Sequence, residues 1–203
     1  MGKEINDEKF ILDEKCQLVR VTQEVLDYCD RFSCGEDDLD DFFANNAIAY
    51  EKELLGKTYC WVLRSDIKKI VGIVTLANAG IQTTHLQNNP RRKINNLITY
   101  SKQGRTYPAV LIGRLGVNVD YQSSQFRVGA QIMDFLKDWF KSYENKTGCR
   151  FILVDAINKE RGIKYYERNG FHPLFPRIND EKSFYHIEET DELRTRMYYF
   201  DLL

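Results

Sequence analysis

Apolar residues along this chain change period, and each change marks an element. From 109 to 119 nearly every position is apolar and many are β-branched, the pattern of a strand covered on both faces. Farther on, Val128, Ile132, Met133, Leu136, Trp139 and Phe140 fall on one stripe of a helix. A short polar turn joins the two, with Gly129 at its far end. A buried strand that feeds a helix through such a turn presents backbone N–H groups at the helix N-terminus, a ready site for phosphate.

The same reading extends along the chain. Residues 1–15 are expected to form a loosely ordered leader, and 16–203 a single domain. Residues 16–22 alternate as a strand, and 24–31 suit a short helix. Ser33, three residues ahead of Glu36, has capping-box spacing. The stripe Leu39, Phe42, Phe43, Ala47, Tyr50 and Leu54 then predicts a helix running to Leu55, with Gly56 as its cap. Strands over 57–64 and 70–76 flank a polar turn and form the simplest antiparallel hairpin. The segment 79–108 reads as a long irregular linker with a helical candidate near 94–100. A strand over 150–156 precedes a helix over 159–168, which Gly170 can cap. A short strand over 171–175, a polar loop and a closing strand over 194–202 complete one mixed α/β domain.

Composition narrows the class. The chain has 203 residues, 43% hydrophobic and 29% charged, enough for a sizeable core. It shows no apolar run of membrane-spanning length and no signal peptide, so a cytoplasmic protein without membrane contact is expected. Cys16, Cys29, Cys34, Cys60 and Cys149 lack metal-ligand spacing and read as reduced, mostly buried thiols, with no metal expected. A net charge of −1 gives no global bias toward nucleic acid. Charge is nonetheless segregated. Residues 27–41 hold seven acidic side chains and one basic, whereas 84–108 hold Arg91, Arg92, Lys93, Lys102 and Arg105 and no acid. The basic segment reads either as a solvated loop or as a local anion-binding surface.

Three local motifs then coincide. They are Arg114-Leu115-Gly116-Val117 on a strand followed by the turn with Gly129, Asp155-Ala156 ending a strand, and Tyr165-Tyr166-Glu167-Arg168-Asn169-Gly170-Phe171. In this order they resemble the GNAT family of N-acetyltransferases, whose late motif is Tyr-x-x-x-Gly-Phe. The resemblance covers about 16–202. Residues 32–43 and the basic stretch before Tyr107-Pro108 are similar to the branch containing acetyltransferase toxins that act on aminoacyl-tRNA.

The resemblance implies a single α/β (α+β) domain with a mixed, mostly antiparallel sheet flanked by helices and a splayed central pair of parallel strands. It implies an enzyme that moves the acetyl group of acetyl-CoA directly to a primary amine. The acceptor is either the α-amine of an aminoacyl-tRNA or an amine of a small molecule or protein. Tyr166 would be the general acid. Leu115, Val117 and Val119 would hold the cofactor on the strand. Ser124, Gln125, Phe126, Arg127, Val128, Gly129 and Ala130 would hold its pyrophosphate, and Asn158 lies beside the position where the family carries an asparagine. The implied partners are acetyl-CoA, tRNA met by Arg91, Arg92, Lys93 and Arg105, a second copy of the chain, and an antitoxin.

The chain departs from the family at its pyrophosphate turn, where the pattern is Arg/Gln-x-x-Gly-x-Gly/Ala. One register places Ser124 first, Arg127 at the middle glycine and Gly129 last. The other places Gln125 first, Val128 in the middle and Ala130 last. Either way the middle glycine is absent. This motivates an alternative, a degenerate fold that binds acetyl-CoA weakly or not at all and acts through protein contacts.

Overall fold

A computed structural model describes residues 10–99, 106–123, 125–145 and 147–203. Its strands are β1 (Cys16–Arg20), β2 (Lys57–Leu63), β3 (Ile70–Gln82), β4 (Thr106–Val117), β5 (Phe151–Ile157), β6 (His172–Pro173) and β7 (Thr195–Asp201). They form a seven-stranded sheet in the order β1-β2-β3-β4-β5-β7-β6. β1 runs antiparallel to β2, and β7 antiparallel to both β5 and β6. β4 and β5 are parallel, paired from Ala109 with Phe151 to Ile112 with Val154. Both strands continue past that ladder, β4 to Val117 and β5 to Ile157.

The helices are α1 (Leu12–Lys15), α2 (Gln23–Tyr28), α3 (Asp37–Asp41), α4 (Ala47–Lys52), α5 (Asn88–Asn96), α6 (Val128–Lys141), α7 (Glu160–Arg168) and α8 (Ile178–Phe184). A π-helical turn, Phe42–Asn46, joins α3 to α4. The wider π turn lets Phe42, Phe43 and Ala47 all reach the interior.

Contacts divide the chain into two units, residues 1–75 with 114–136 and residues 76–113 with 137–203. The first unit is built around Phe32, Phe42, Phe43, Cys60, Val62 and Ile73. Phe32 meets Phe43 edge to face at 5.7 Å, and Trp61 meets Phe135 of α6 at 5.5 Å. α6 seats closely over Gly72: a Cβ there would stand 2.5 Å from Ile132 Cδ1, and that side chain would have to shift. The second unit is built around Ile94, Tyr107, Phe151, Leu153, Phe175 and Tyr199. Each large side chain buried in these cores contributes roughly 1.5–3 kcal/mol. Also buried is Glu181, which accepts from Arg196 Nε at 2.9 Å and from the Met197 N–H, while Arg196 also donates to the Phe175 carbonyl at 2.7 Å.

Several sequence expectations are corrected. The stretch 79–108 is not a linker: β3 extends to Gln82 and α5 occupies Asn88–Asn96 rather than 94–100. Pro90 lies in the first turn of α5, where its missing N–H costs no helical bond. The expected polar loop after 175 contains α8. Of the expected leader, 1–9 lie outside the described residues, while within 10–15 Leu12 is 1% exposed in α1. The capping box is absent because α3 begins only at Asp37. Ser33 Oγ instead donates to Asp40 Oδ2 at 2.6 Å, and Asp40 Oδ1 accepts the Cys34 N–H at 2.7 Å. The helix after it ends at Lys52, so Leu54 leaves the apolar stripe at 90% exposure.

Candidate active site

In the first unit, β4 delivers Leu115 and Val117 two positions apart, on one face of the strand and half-buried. Val119, expected on the strand, begins a 3₁₀ turn (Val119–Tyr121) and is 50% exposed. The turn is bound to its surroundings by side-chain amides. Asn118 Nδ2 donates to the Ile70 carbonyl at 3.0 Å, and Gln122 Nε2 donates to the Cys34 and Val117 carbonyls at 2.7 and 2.8 Å. Phe126 N–H is held by Ser123 Oγ at 3.3 Å.

Helix α6 starts immediately after Arg127, and Arg127 is left-handed, with φ +49°. A non-glycine residue in that conformation costs about 1–2 kcal/mol. The chain therefore adopts, at an arginine, a backbone conformation for which glycine is the default. Arg127 O accepts from Ala130 and Gln131 N–H at 3.0 and 3.1 Å, which closes the first turn of the helix. Gln125 and Arg127 are exposed, Phe126 is half-buried, Val128 is buried, and Gly129 and Ala130 are partly covered. Ser124 lies outside the described residues.

In the second unit, Tyr166 sits on α7, and the geometry gives the Tyr-x-x-x-Gly-Phe spacing a physical reason. The helix ends at Asn169 and Gly170 turns left-handed at φ +82°. Gly170 N–H then bonds the Glu167 carbonyl at 3.0 Å, and Phe171 N–H bonds the Tyr166 carbonyl at 3.0 Å. Those are the two bonds of a Schellman cap, and its hydrophobic contact is Tyr166 against Phe171, ring centroids 5.6 Å apart. The Tyr165 ring meets the Tyr166 ring edge to face at 5.0 Å. Burial, helped by the negative charge of Asp155, pushes the Tyr166 phenol up to about 12.

Asp155 lies near the C-terminal end of β5, and protein packed around its carboxyl raises it above the usual carboxylate range. The same residue keeps an exposed edge on an open cleft of about 740 Å³ shared with Tyr185, Thr190, Asp191, Glu192 and Arg194. Asn158 is committed elsewhere: its Nδ2 donates to the Leu193 carbonyl at 2.8 Å, and its N–H to the Arg194 carbonyl at 2.9 Å. These bonds fix the chain that forms one wall of the cleft.

The basic residues of 84–108 are partly gathered. Arg91, Arg92 and Lys93 follow one another on α5. Arg91 bonds Asn88 Oδ1, Lys93 Nζ lies 5.5 Å over the Tyr199 ring, and Arg92 is exposed. Arg105 and Lys102 lie outside the described residues. All five cysteines are free, with Cys16, Cys34 and Cys60 buried and Cys29 and Cys149 half-buried. Among the described residues no group of His, Cys, Asp and Glu is arranged to hold a metal ion, and no helix is long and apolar enough to cross a membrane.

Sequence reasoning missed Gln131, whose side chain bonds the Phe126 carbonyl and the segment at Phe10–Leu12. It also missed the acidic cleft, whose lining comes from 155 and 185–195. A polar residue next to Ile132 in an apolar stripe was the available signal for the first, and the acids of 188–192 for the second.

No protein-family model and no curated protein sequence matches the chain. Solved structures do match along most of its length. AtaT complexed with acetyl-methionyl-tRNAfMet is 18% identical, covering 92% of this chain and 94% of that one, with a TM-score of 0.58. A tyrosine-to-phenylalanine mutant of KacT is 17% identical over 93% and 95%, with a TM-score of 0.61. AtaTR bound with AcCoA is 16% identical over 93% and 94%, with a TM-score of 0.59. The chain has the fold of these proteins, the mixed sheet with a central parallel pair expected of a GNAT protein.

Proposed function

We propose that the chain is an acetyl-CoA-dependent N-acetyltransferase acting by direct transfer to a primary amine. The observation that carries this reading is Tyr166, a phenol on a helix end fixed by a Schellman cap, which at an ordinary phenol pKa of about 10 keeps its proton at neutral pH. The shared fold supports it, as do the acetyl-CoA and acetylated tRNA bound in the neighbouring structures. Leu115, Val117 and Val119 would line the acyl donor. The turn from 124 to 130, at the N-terminus of α6, would take its pyrophosphate, with the Arg127 charge standing in for the closer backbone approach a glycine allows.

The reaction balances as follows. The neutral amine attacks the thioester carbonyl carbon, and the C–N bond forms as the carbonyl electrons move to oxygen. The oxyanion collapses, the C–S bond breaks, and the electron pair leaves on sulfur. Tyr166 Oη donates a proton to that sulfur, and the nitrogen loses its proton to solvent. A phenol near 12 recovers its proton from water at once, so it is ready for the next turnover. An α-amine, with a pKa of about 7.7–8.0, is partly neutral at pH 7 and needs no strong base.

Two acceptors have observations in their favour. The cationic run Arg91, Arg92 and Lys93 on α5 suits the phosphates of a charged tRNA. The cleft, where Asp155, Asp191 and Glu192 outnumber Arg194, suits a small cationic amine better than a phosphate. A cytoplasmic toxin held by an antitoxin, and a homodimer, belong to the first reading. Incubation with acetyl-CoA and either charged tRNA or cell extract, followed by mass spectrometry, separates the two. Acetylated aminoacyl-tRNA supports the toxin reading, acetylated small amines support the cleft, and no acetylated product in either mixture contradicts the enzyme. The competing non-enzymatic reading rests on the left-handed arginine in the turn and predicts that last outcome.

A further inference from the structure

The turn that would receive pyrophosphate is held from outside itself. Gln131 lies in the first turn of α6, and its side-chain amide makes bonds on three sides. Nε2 donates to the Phe126 carbonyl at 2.8 Å and to the Phe10 carbonyl at 2.9 Å. Oε1 accepts the Leu12 N–H at 2.7 Å. The orientation of the amide is fixed by its partners, since two carbonyls require the nitrogen and one N–H requires the oxygen. Its own backbone N–H bonds the Arg127 carbonyl at 3.1 Å. Gln131 therefore bonds the carbonyls of both peptides that flank the left-handed Arg127, one through its side chain and one through its backbone. The N-terminal segment completes the grip. The Phe10 ring packs against Phe126 at 5.5 Å and Tyr121 at 5.6 Å, and Leu12 is buried.

A grip of this kind has a reason in this chain. Where a glycine would adopt the left-handed conformation at no steric cost, Arg127 does so against its preference. The turn holds itself by the bonds of the Phe126 and Arg127 N–H groups to Ser123, and the side-chain bond from Gln131 at the Phe126 carbonyl is what ties it to the rest of the chain. We infer that Gln131, with Phe10–Leu12 strapped across it, is the positioning residue that keeps the turn in its anion-binding shape and so sets affinity for the pyrophosphate of acetyl-CoA. This rests on the acetyltransferase reading above. The strap acts through the turn and touches no reacting atom.

The test compares acetyl-CoA with acetyl-S-pantetheine, which carries the same thioester and no pyrophosphate. Wild type and Gln131→Leu are assayed with both donors, alongside Gln131→Glu, which keeps the size and the acceptor for Leu12 but removes both donors. The expected result is a KM for acetyl-CoA raised about tenfold in both variants, with kcat and the KM for acetyl-S-pantetheine changed by less than about twofold. If the Gln131 variants fail to fold by circular dichroism, Phe10→Ala keeps the amide and loosens only the strap, and should raise the acetyl-CoA KM about threefold with the same selectivity. A KM rise shared equally by both donors, or no rise in any folded variant, overturns the inference and leaves the acetyltransferase reading standing. A wild type that turns over neither donor overturns the acetyltransferase reading itself.

Discussion

Four of the five described residues with positive φ sit at helix ends and explain much of how this chain is built. Leu54, Gly170 and His186 are left-handed just past the ends of α4, α7 and α8, and each sits in a pair of capping bonds. Leu55 N–H bonds the Tyr50 carbonyl at 3.2 Å, Phe171 N–H bonds Tyr166 at 3.0 Å, and Ile187 N–H bonds Lys182 at 2.9 Å. Only Gly170 adopts this conformation without a Cβ penalty. Leu54 adds an apolar side chain at 90% exposure to its backbone strain. Leu54→Gly should therefore stabilise the protein by about 0.5–1 kcal/mol, the left-handed cost less the extra chain entropy of glycine, read as a higher midpoint in urea. Arg127 is the fourth such residue, at the start of a helix rather than its end. At the same scale, Tyr166→Phe should lower kcat by about 10²–10⁴-fold while leaving acetyl-CoA affinity within about twofold, measured by steady-state kinetics and calorimetry. Full activity in that variant would remove Tyr166 from the mechanism.

Among the elements, the strand–turn–helix of β4 and α6 was legible because its apolar positions follow clean periods, and the end of α7 was legible because Gly170 is its cap. Other elements were hidden for identifiable reasons. α8 has little apolar stripe: Ile178 is exposed, and the helix is tied down by the buried carboxylate of Glu181 bonded to Arg196 and Met197. An ion pair leaves no periodicity in the sequence. α5 opens with Asn88-Asn89-Pro90, which reads as a turn until Pro90 is recognised as a first-turn residue. Gln131 stands out as a polar residue in the apolar stripe, but its tie to the N-terminal segment was hidden because Phe10 and Leu12 lie 121 and 119 residues away. The cap of α7 makes a prediction at this scale. A Cβ at Gly170 would stand 3.2 Å from Phe200 and force the left-handed cost, so Gly170→Ala should destabilise the protein by about 1–2 kcal/mol. It should also lower kcat, because the bond that fixes the Tyr166 carbonyl belongs to the same cap. A variant as stable as wild type in urea would show that the cap contributes nothing.

At the scale of the whole molecule, buried thiols and phenols govern the response to base. Burial raises Cys16 and Cys34 from 9.0 to about 11 and Cys60 from 9.0 to about 12. It likewise raises Tyr166 and Tyr199 from 10.0 to about 12. The folded chain holds these protons more tightly than the unfolded chain. Their contribution is therefore intact below pH 9 and is lost as pH climbs through 11 to 12. Thermal midpoints measured across pH 7–11 should be level on this account up to about pH 9 and then fall. Because Tyr166 keeps its proton across that interval, an alkaline limb in the kcat profile below about pH 10 would belong to another group.

Charge is arranged at the same scale. A chain of net charge −1 carries an acidic stretch at 27–41, an acidic cleft at Asp155, Asp191 and Glu192, and a cationic run on α5. The proposed activity depends, before any acceptor, on whether a turn with arginine in place of glycine accepts the donor. Calorimetric titration of the purified chain with acetyl-CoA measures this directly. The account predicts saturable one-site binding in the micromolar range that weakens with added salt, and no heat of binding up to millimolar acetyl-CoA would contradict it.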